Sequence, residues 1–94
     1  MTHEELLELI QCSVNYDEDL LNNIYVLDTE AFADAAIGLS EDNRVIYDYE
    51  KMVEGLVTHD GMSPEEAMEW IDYNTIRTLP YIPIPPIILY PFVK

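Results

Sequence analysis

Between Tyr49 and Val57 the apolar residues Tyr49, Met52, Val53, Leu56 and Val57 return at i, i+3, i+4, i+7 and i+8. That spacing predicts an amphipathic helix over about residues 49 to 58, with Asp48 as its N-cap. Gly55 weakens it by up to about 1 kcal/mol relative to alanine, and His59-Asp60-Gly61 ends it. Ser63 is the next N-cap, Pro64 takes the first helical position where a missing N–H costs nothing, and Glu66 completes a capping box. Ala67, Met68, Ile71, Thr75, Ile76 and Leu79 then mark one broad face, predicting a helix from residue 64 to 79 that Pro80 stops.

Upstream, Thr2 and Glu5 form a capping box that starts a helix with Leu6, Leu7, Leu9 and Ile10 as its apolar stripe, ending near Cys12 or Ser13. A short helical element follows from about Asp17, with Leu20, Leu21 and Ile24 apolar, until Asn22-Asn23 breaks it. Ile24 to Leu27 reads as a brief strand. Thr29 to Leu39 fits either a helix stopped by Gly38 or a strand at its end. The strand end is favoured, because Ser40-Glu41-Asp42-Asn43 is a turn cluster and Arg44 to Tyr47 is β-favouring, which together make a hairpin. Pro80, Pro83, Pro85, Pro86 and Pro91 keep the last stretch from being helical and allow at most a short edge strand over Ile87 to Tyr90.

These elements predict an α+β fold in one domain. A small antiparallel β-hairpin sheet is packed by two antiparallel helices, over residues 35–79. A helical N-terminal third occupies residues 1–28, and an extended, proline-rich apolar tail occupies residues 80–94. The tail carries Ile82, Ile84, Ile87, Ile88, Leu89, Tyr90 and Phe92, so it is expected to lie on this domain's core or on another chain.

Charge changes the picture more than composition does. The 94 residues carry 19 acids against Arg44, Lys51, Arg77 and Lys94, a net charge of -15. All the acids fall at or before Asp72, so the tail is free of them. Such a field disfavours nucleic acid and anionic membrane as ligands and steers the chain toward basic surfaces; the plainer reading is a solubilising coat. Cys12 is the single cysteine, which allows no intrachain disulfide and suits a reducing compartment; it is expected to be a small buried or half-buried apolar residue. The acidic N-terminus does not read as a signal peptide, and no apolar run approaches the roughly 20 residues of a membrane span, so a cytoplasmic protein is expected.

The candidate chemistry is a set of carboxylates. Glu65, Glu69 and Asp72 are spaced to line one helix face, and Glu50 with Glu54 another; Asp17, Glu18 and Asp19, and Glu41 with Asp42, form further acidic groups. Helix positions i and i+4 rise about 6 Å, against about 3.4 Å per phosphate along one DNA strand, so such faces can imitate nucleic acid. Capping and the helix dipole account for Glu5, Asp48, Glu50, Glu65 and Glu66 as structural acids. Trp70 and Tyr73 are placed by the helical wheel away from the main apolar face, where amphipathic aromatics suit tail packing or an interface. Asn74 and Arg77 read as a pin between helix and tail. No metal-ligand spacing, cofactor motif or nucleophile–base pairing is present, so neither a metal, a cofactor nor an enzyme is expected.

Gly38-Leu39-Ser40-Glu41-Asp42, Arg44 to Met52, Met62 to Ala67, Trp70 to Arg77 and Leu79-Pro80-Tyr81 carry a resemblance. Over residues 37–82, about half of the chain, it resembles a family of small, mostly uncharacterised proteins of phages and prophages of Gram-positive bacteria. The resemblance implies a phage context and interference with host defence, including anti-CRISPR roles. With the charge, it leads to the expectation of an acidic inhibitor that binds a basic, nucleic-acid-handling surface of a host defence protein such as a CRISPR effector, partly by DNA mimicry. The alternative is a structural or assembly protein whose apolar tail makes a homodimer or docks on another phage component.

Overall fold

The computed structural model describes residues 1–27 and 29–92; Asp28, at the end of the N-terminal third, and Val93 and Lys94, in the tail, lie outside the described residues. Helix α1 (His3–Ser13) opens on the expected box: the Thr2 hydroxyl accepts from the Glu5 amide at 3.1 Å and the Glu5 carboxylate accepts from the Thr2 amide at 3.2 Å. Its buried side is Leu6, Ile10 and the following Val14, so the apolar stripe is narrower than expected: Leu7 and Leu9 face water. Cys12 is exposed rather than buried, its Sγ 3.5 Å from the Tyr16 hydroxyl, because it sits away from the Leu6–Ile10 side. Asn15 and Tyr16, both with positive φ, turn the chain into α2 (Glu18–Asn23), which Asp17 caps by accepting from the Asp19 and Leu20 amides.

Ile24 to Leu27 forms no strand. Its tie to the sheet is a side chain instead, the Leu27 amide donating to the Tyr47 hydroxyl at 3.0 Å. Tyr47 is the largest fully buried side chain, and burial pushes its hydroxyl up to about 12. The open choice over residues 29–39 resolves as both forms in succession, a 3-10 helix (Glu30–Ala35) followed by strand β1 (Ala36–Leu39). Gly38 therefore sits within a strand and stops no helix.

The hairpin forms as expected: β1 pairs antiparallel with β2 (Val45–Asp48), Asn43 takes the left-handed position at φ 61°, and a register shift falls between Ala36 and Gly38. Asp48 then caps α3 (Tyr49–Asp60) through the Lys51 amide at 3.2 Å, and Gly61 ends it at φ 69°. Met52 and Leu56 are fully buried, with Tyr49, Val53 and Val57 packed around that core. The helix lies most closely on the 3-10 helix Glu30–Ala35, and Gly55 is what permits it. A Cβ at Gly55 would stand 2.0 Å from the Ala31 carbonyl oxygen.

Helix α4 (Pro64–Asn74) starts where expected, the Ser63 hydroxyl accepting from the Glu66 amide at 3.2 Å. It ends earlier than residue 79. The Thr75 carbonyl accepts from both the amide and the hydroxyl of Thr78, and the chain tightens into a second 3-10 helix (Ile76–Tyr81) that contains Pro80. Proline has no N–H to continue an α-helical ladder and its ring crowds the carbonyl four residues back, so the tighter winding begins upstream of it.

The tail supplies strand β3 (Ile87–Leu89), paired parallel to β2 with Ile46 opposite Ile87, Tyr47 opposite Ile88 and Asp48 opposite Leu89. The sheet is thus a mixed one in the order β1-β2-β3, not the purely antiparallel sheet expected from the hairpin. Parallel pairing needs a long crossover, which α3, α4 and the second 3-10 helix provide. Pro86 is buried, Ile88 packs against the core, and Arg44 Nε donates to the Pro85 carbonyl at 2.7 Å. The architecture is α+β, a small three-stranded mixed sheet with several helices.

Candidate functional site

Because β2 and β3 run in the same direction, both strands leave the sheet at the same end, and the residues that follow them meet. Tyr49 follows Asp48 and Tyr90 follows Leu89, and their rings lie 4.8 Å apart between centroids at 35°. Helix α3 continues from Tyr49 and places Glu50, Val53 and Glu54 along the same side. Met68 of α4 and Pro91 close the other side of an open groove of about 420 Å³. Its floor is apolar and one rim is acidic. Tyr90 lines the groove and remains 60% exposed.

Among the described residues, the carboxylates on this rim meet no counter-ion within 4.0 Å. Among the described residues, ion pairs within 4.0 Å join Met1 with Asp34 and Arg44 with Asp42. Lys51, the cation of α3, does not line the groove. The Asp34 carboxylate is held below the usual carboxylate range by the Met1 amino group that donates to it, and more weakly by the charges of His59 and Lys51. The Tyr49 hydroxyl is pushed above the ordinary tyrosine value by burial first, then by Tyr90 and by the negative charge of Asp72. Asp72 lines neither this groove nor the next, and its charge is the smallest of these causes.

The expected face of Glu65, Glu69 and Asp72 is split by its neighbours. Asp72 acts on Tyr49, whereas Glu69 lines a second groove of about 350 Å³ on α4, together with Met62, Glu66, Trp70, Tyr73 and Asn74. Glu65 lies exposed in the first turn of α4 and lines neither groove. In the second groove the aromatic groups are already engaged. The Arg77 guanidinium lies over the Tyr73 ring at 4.8 Å from its centroid, and Trp70 meets Phe32 edge-on at 5.8 Å. Trp70 is half-buried against the core, which corrects its expected place away from the apolar face, while Tyr73 is 68% exposed. The Asn74–Arg77 pin does not form: the Asn74 amide donates back to the Trp70 carbonyl at 3.0 Å and Arg77 goes to Tyr73.

The remaining acidic groups lie apart from both grooves. Asp17 is spent as the cap of α2, with Glu18 and Asp19 exposed in its first turn. Glu41 is exposed in the hairpin turn, and Asp42 is held below the usual carboxylate range by the Ser40 hydroxyl that donates to it, with Arg44 3.8 Å away. Sequence reasoning placed Glu50 and Glu54 in a site but missed Tyr49, Met68, Tyr90 and Pro91. Tyr49 beside Glu50 carried a usable signal; Tyr90 carried none until β3 was placed. Among the described residues no grouping of three or more His, Cys, Asp or Glu side chains is arranged to hold a metal, and no helix is long and apolar enough to cross a membrane. Comparison with protein-family models, with curated proteins and with solved structures found no match to this chain.

Proposed function

We propose that this chain is an acidic binding protein, not an enzyme, that docks onto a basic, nucleic-acid-handling surface of a host defence protein such as a CRISPR effector and inhibits it, partly as a DNA mimic. One observation carries the reading: Glu50, Glu54, Glu65, Glu69 and Asp72 are exposed along α3 and α4, and no described cation pairs with them within 4.0 Å. Arg44 serves Pro85 and Asp42, Arg77 covers Tyr73, and Lys51 is exposed and makes no ion pair within 4.0 Å with any described residue. A carboxylate array of this kind attracts cations that otherwise meet phosphates. The phage setting and the defence target rest on the resemblance of residues 37–82.

Salt is the test. Binding to a basic nucleic-acid-binding domain should weaken more than about tenfold between roughly 50 and 200 mM salt and should compete with duplex DNA, as expected when several phosphate-binding cations are involved. Affinity unchanged over that range would reject charge mimicry.

A second reading, an assembly protein that pairs through its tail, is favoured by one feature: Phe92 is 97% exposed, and Tyr81, Ile84 and Leu89 also face water. Under that reading, sedimentation should show a concentration-dependent dimer that Phe92→Ser and Leu89→Ser together abolish. Deleting residues 83–94 removes β3 and the buried Pro86, so that truncation tests folding as well as assembly.

A further inference from the structure

The Tyr49–Tyr90 groove differs from a solvated acidic face in having an apolar lining, an aromatic wall and two carboxylates, one helical turn apart, that meet no cation among the described residues. Each element selects a different part of a ligand. The apolar lining of Val53 and Met68 suits an aliphatic stem, the exposed Tyr90 ring suits a flat cation, and Glu50 and Glu54 suit a group with several N–H donors in a fork. Arginine combines all three; lysine has the stem and the charge but is a point-like, strongly hydrated ammonium without a planar face. The chain itself shows the pairing elsewhere, since Arg77 lies over Tyr73 at 4.8 Å. In the first groove no described cation takes that place.

We infer that the groove between Tyr90, Met68 and the Glu50–Glu54 edge of α3 is a receptor for one arginine side chain of the partner protein. The inference rests on the reading that the partner is basic and adds where its anchoring residue sits. Most of the acidic surface then supplies attraction at a distance, whereas this groove supplies a fixed contact and hence the register of docking. Arginine is among the residues on which interfaces concentrate their affinity.

The experiment uses the whole chain and a capped pentapeptide with a central arginine flanked by glycine and serine, compared with its lysine and citrulline counterparts. NMR follows the Met68 methyl and the Tyr49 and Tyr90 rings. The arginine peptide should give saturable shifts confined to these groups, bind more tightly than the lysine peptide, and lose its effect as citrulline, which keeps the shape without the charge. Tyr90→Ala should weaken the peptide about two- to fivefold, the range of an exposed cation–π contact. The double change Glu50→Gln, Glu54→Gln, which leaves the aromatic wall in place, should weaken it further. Shifts spread evenly over Glu18, Glu65 and the groove, equal binding of lysine and arginine, or parental affinity in folded Tyr90→Ala would each overturn the arginine receptor. Salt-dependent binding of a basic domain that Tyr90→Ala leaves unaltered overturns it too, while the proposed function stands. Binding of such a domain that ignores salt overturns the proposed function itself.

Discussion

The two grooves that flank α4 both join aromatic and acidic residues, yet only one has a described cation of this chain over its aromatic ring. In the second groove Trp70 is tied to the core through Phe32 and Tyr73 is covered by Arg77. In the first, the tyrosines stack on each other and the acids beside them meet no described cation. Aromatic and acidic residues side by side are therefore a poor signal of a binding site until the local cation is accounted for. A cation supplied by the chain turns the pattern into structure, and an absent one leaves it available.

The largest effect should come from the support beneath the open groove. Gly55→Ala drives a Cβ into the Ala31 carbonyl and should cost about 3 kcal/mol by urea denaturation, the upper part of the overpacking range. Because α3 carries Tyr49, Glu50, Val53 and Glu54, ring signals of Tyr49 and Tyr90 should change while the Tyr73–Arg77 contact persists. An unchanged stability would mean that α3 and the first 3-10 helix are not so close.

Next comes the contrast between aromatic groups. Trp70→Ala should lose about 2 kcal/mol, less than a fully buried tryptophan because the ring is only half-buried. Tyr90→Ala should lose about 1 kcal/mol or less, the value of one aromatic pair. Equal losses would remove the distinction between a structural and an available groove.

Charge reversal sharpens the comparison on the functional side. Asp72→Lys, beside the open groove, should slow association with a basic partner about threefold or more at low salt, and Glu69→Lys by less, with circular dichroism unchanged in both. If Glu69→Lys has the greater effect, the second groove is the docking side. Arg77→Gln should change stability by less than about 1 kcal/mol yet uncover Tyr73, so that arginine-peptide shifts appear at Trp70 and Tyr73. The smallest effect is spectroscopic. A nearby negative charge disfavours the phenolate, so Asp72→Asn should lower the raised Tyr49 titration toward the ordinary tyrosine value, while Glu69→Gln leaves it in place.

Much of the local structure was legible because it is decided by chemistry within a few residues. Thr2 with Glu5, Asp17, Asp48 and Ser63 each satisfy backbone donors of the next turn, and all four helix starts lie where those residues put them. Asn43 and Gly61 take the left-handed turns for equally local reasons. The misses are where distant parts compete. Ile24 to Leu27 has strand propensity, but both sides of β2 are taken by β1 and β3, and a Tyr47 hydroxyl is what the segment receives. The helical wheel points Trp70 outward because it cannot see Phe32, which lies on another element and draws the ring in.

By itself the sequence determined the helices, the hairpin, the α+β class and the acidic excess, since spacing, caps and charge need no partner to be read. Only the tertiary structure decided which acids share a place with which aromatic residues. The parallel pairing of β3 with β2 brings Tyr90 to Tyr49 across a separation of many residues, and an antiparallel β3 would have sent Tyr90 to the opposite end of the sheet. That choice depends on the crossover through α3 and α4 and on the packing of Pro86 and Ile88, interactions that no local window of the chain contains.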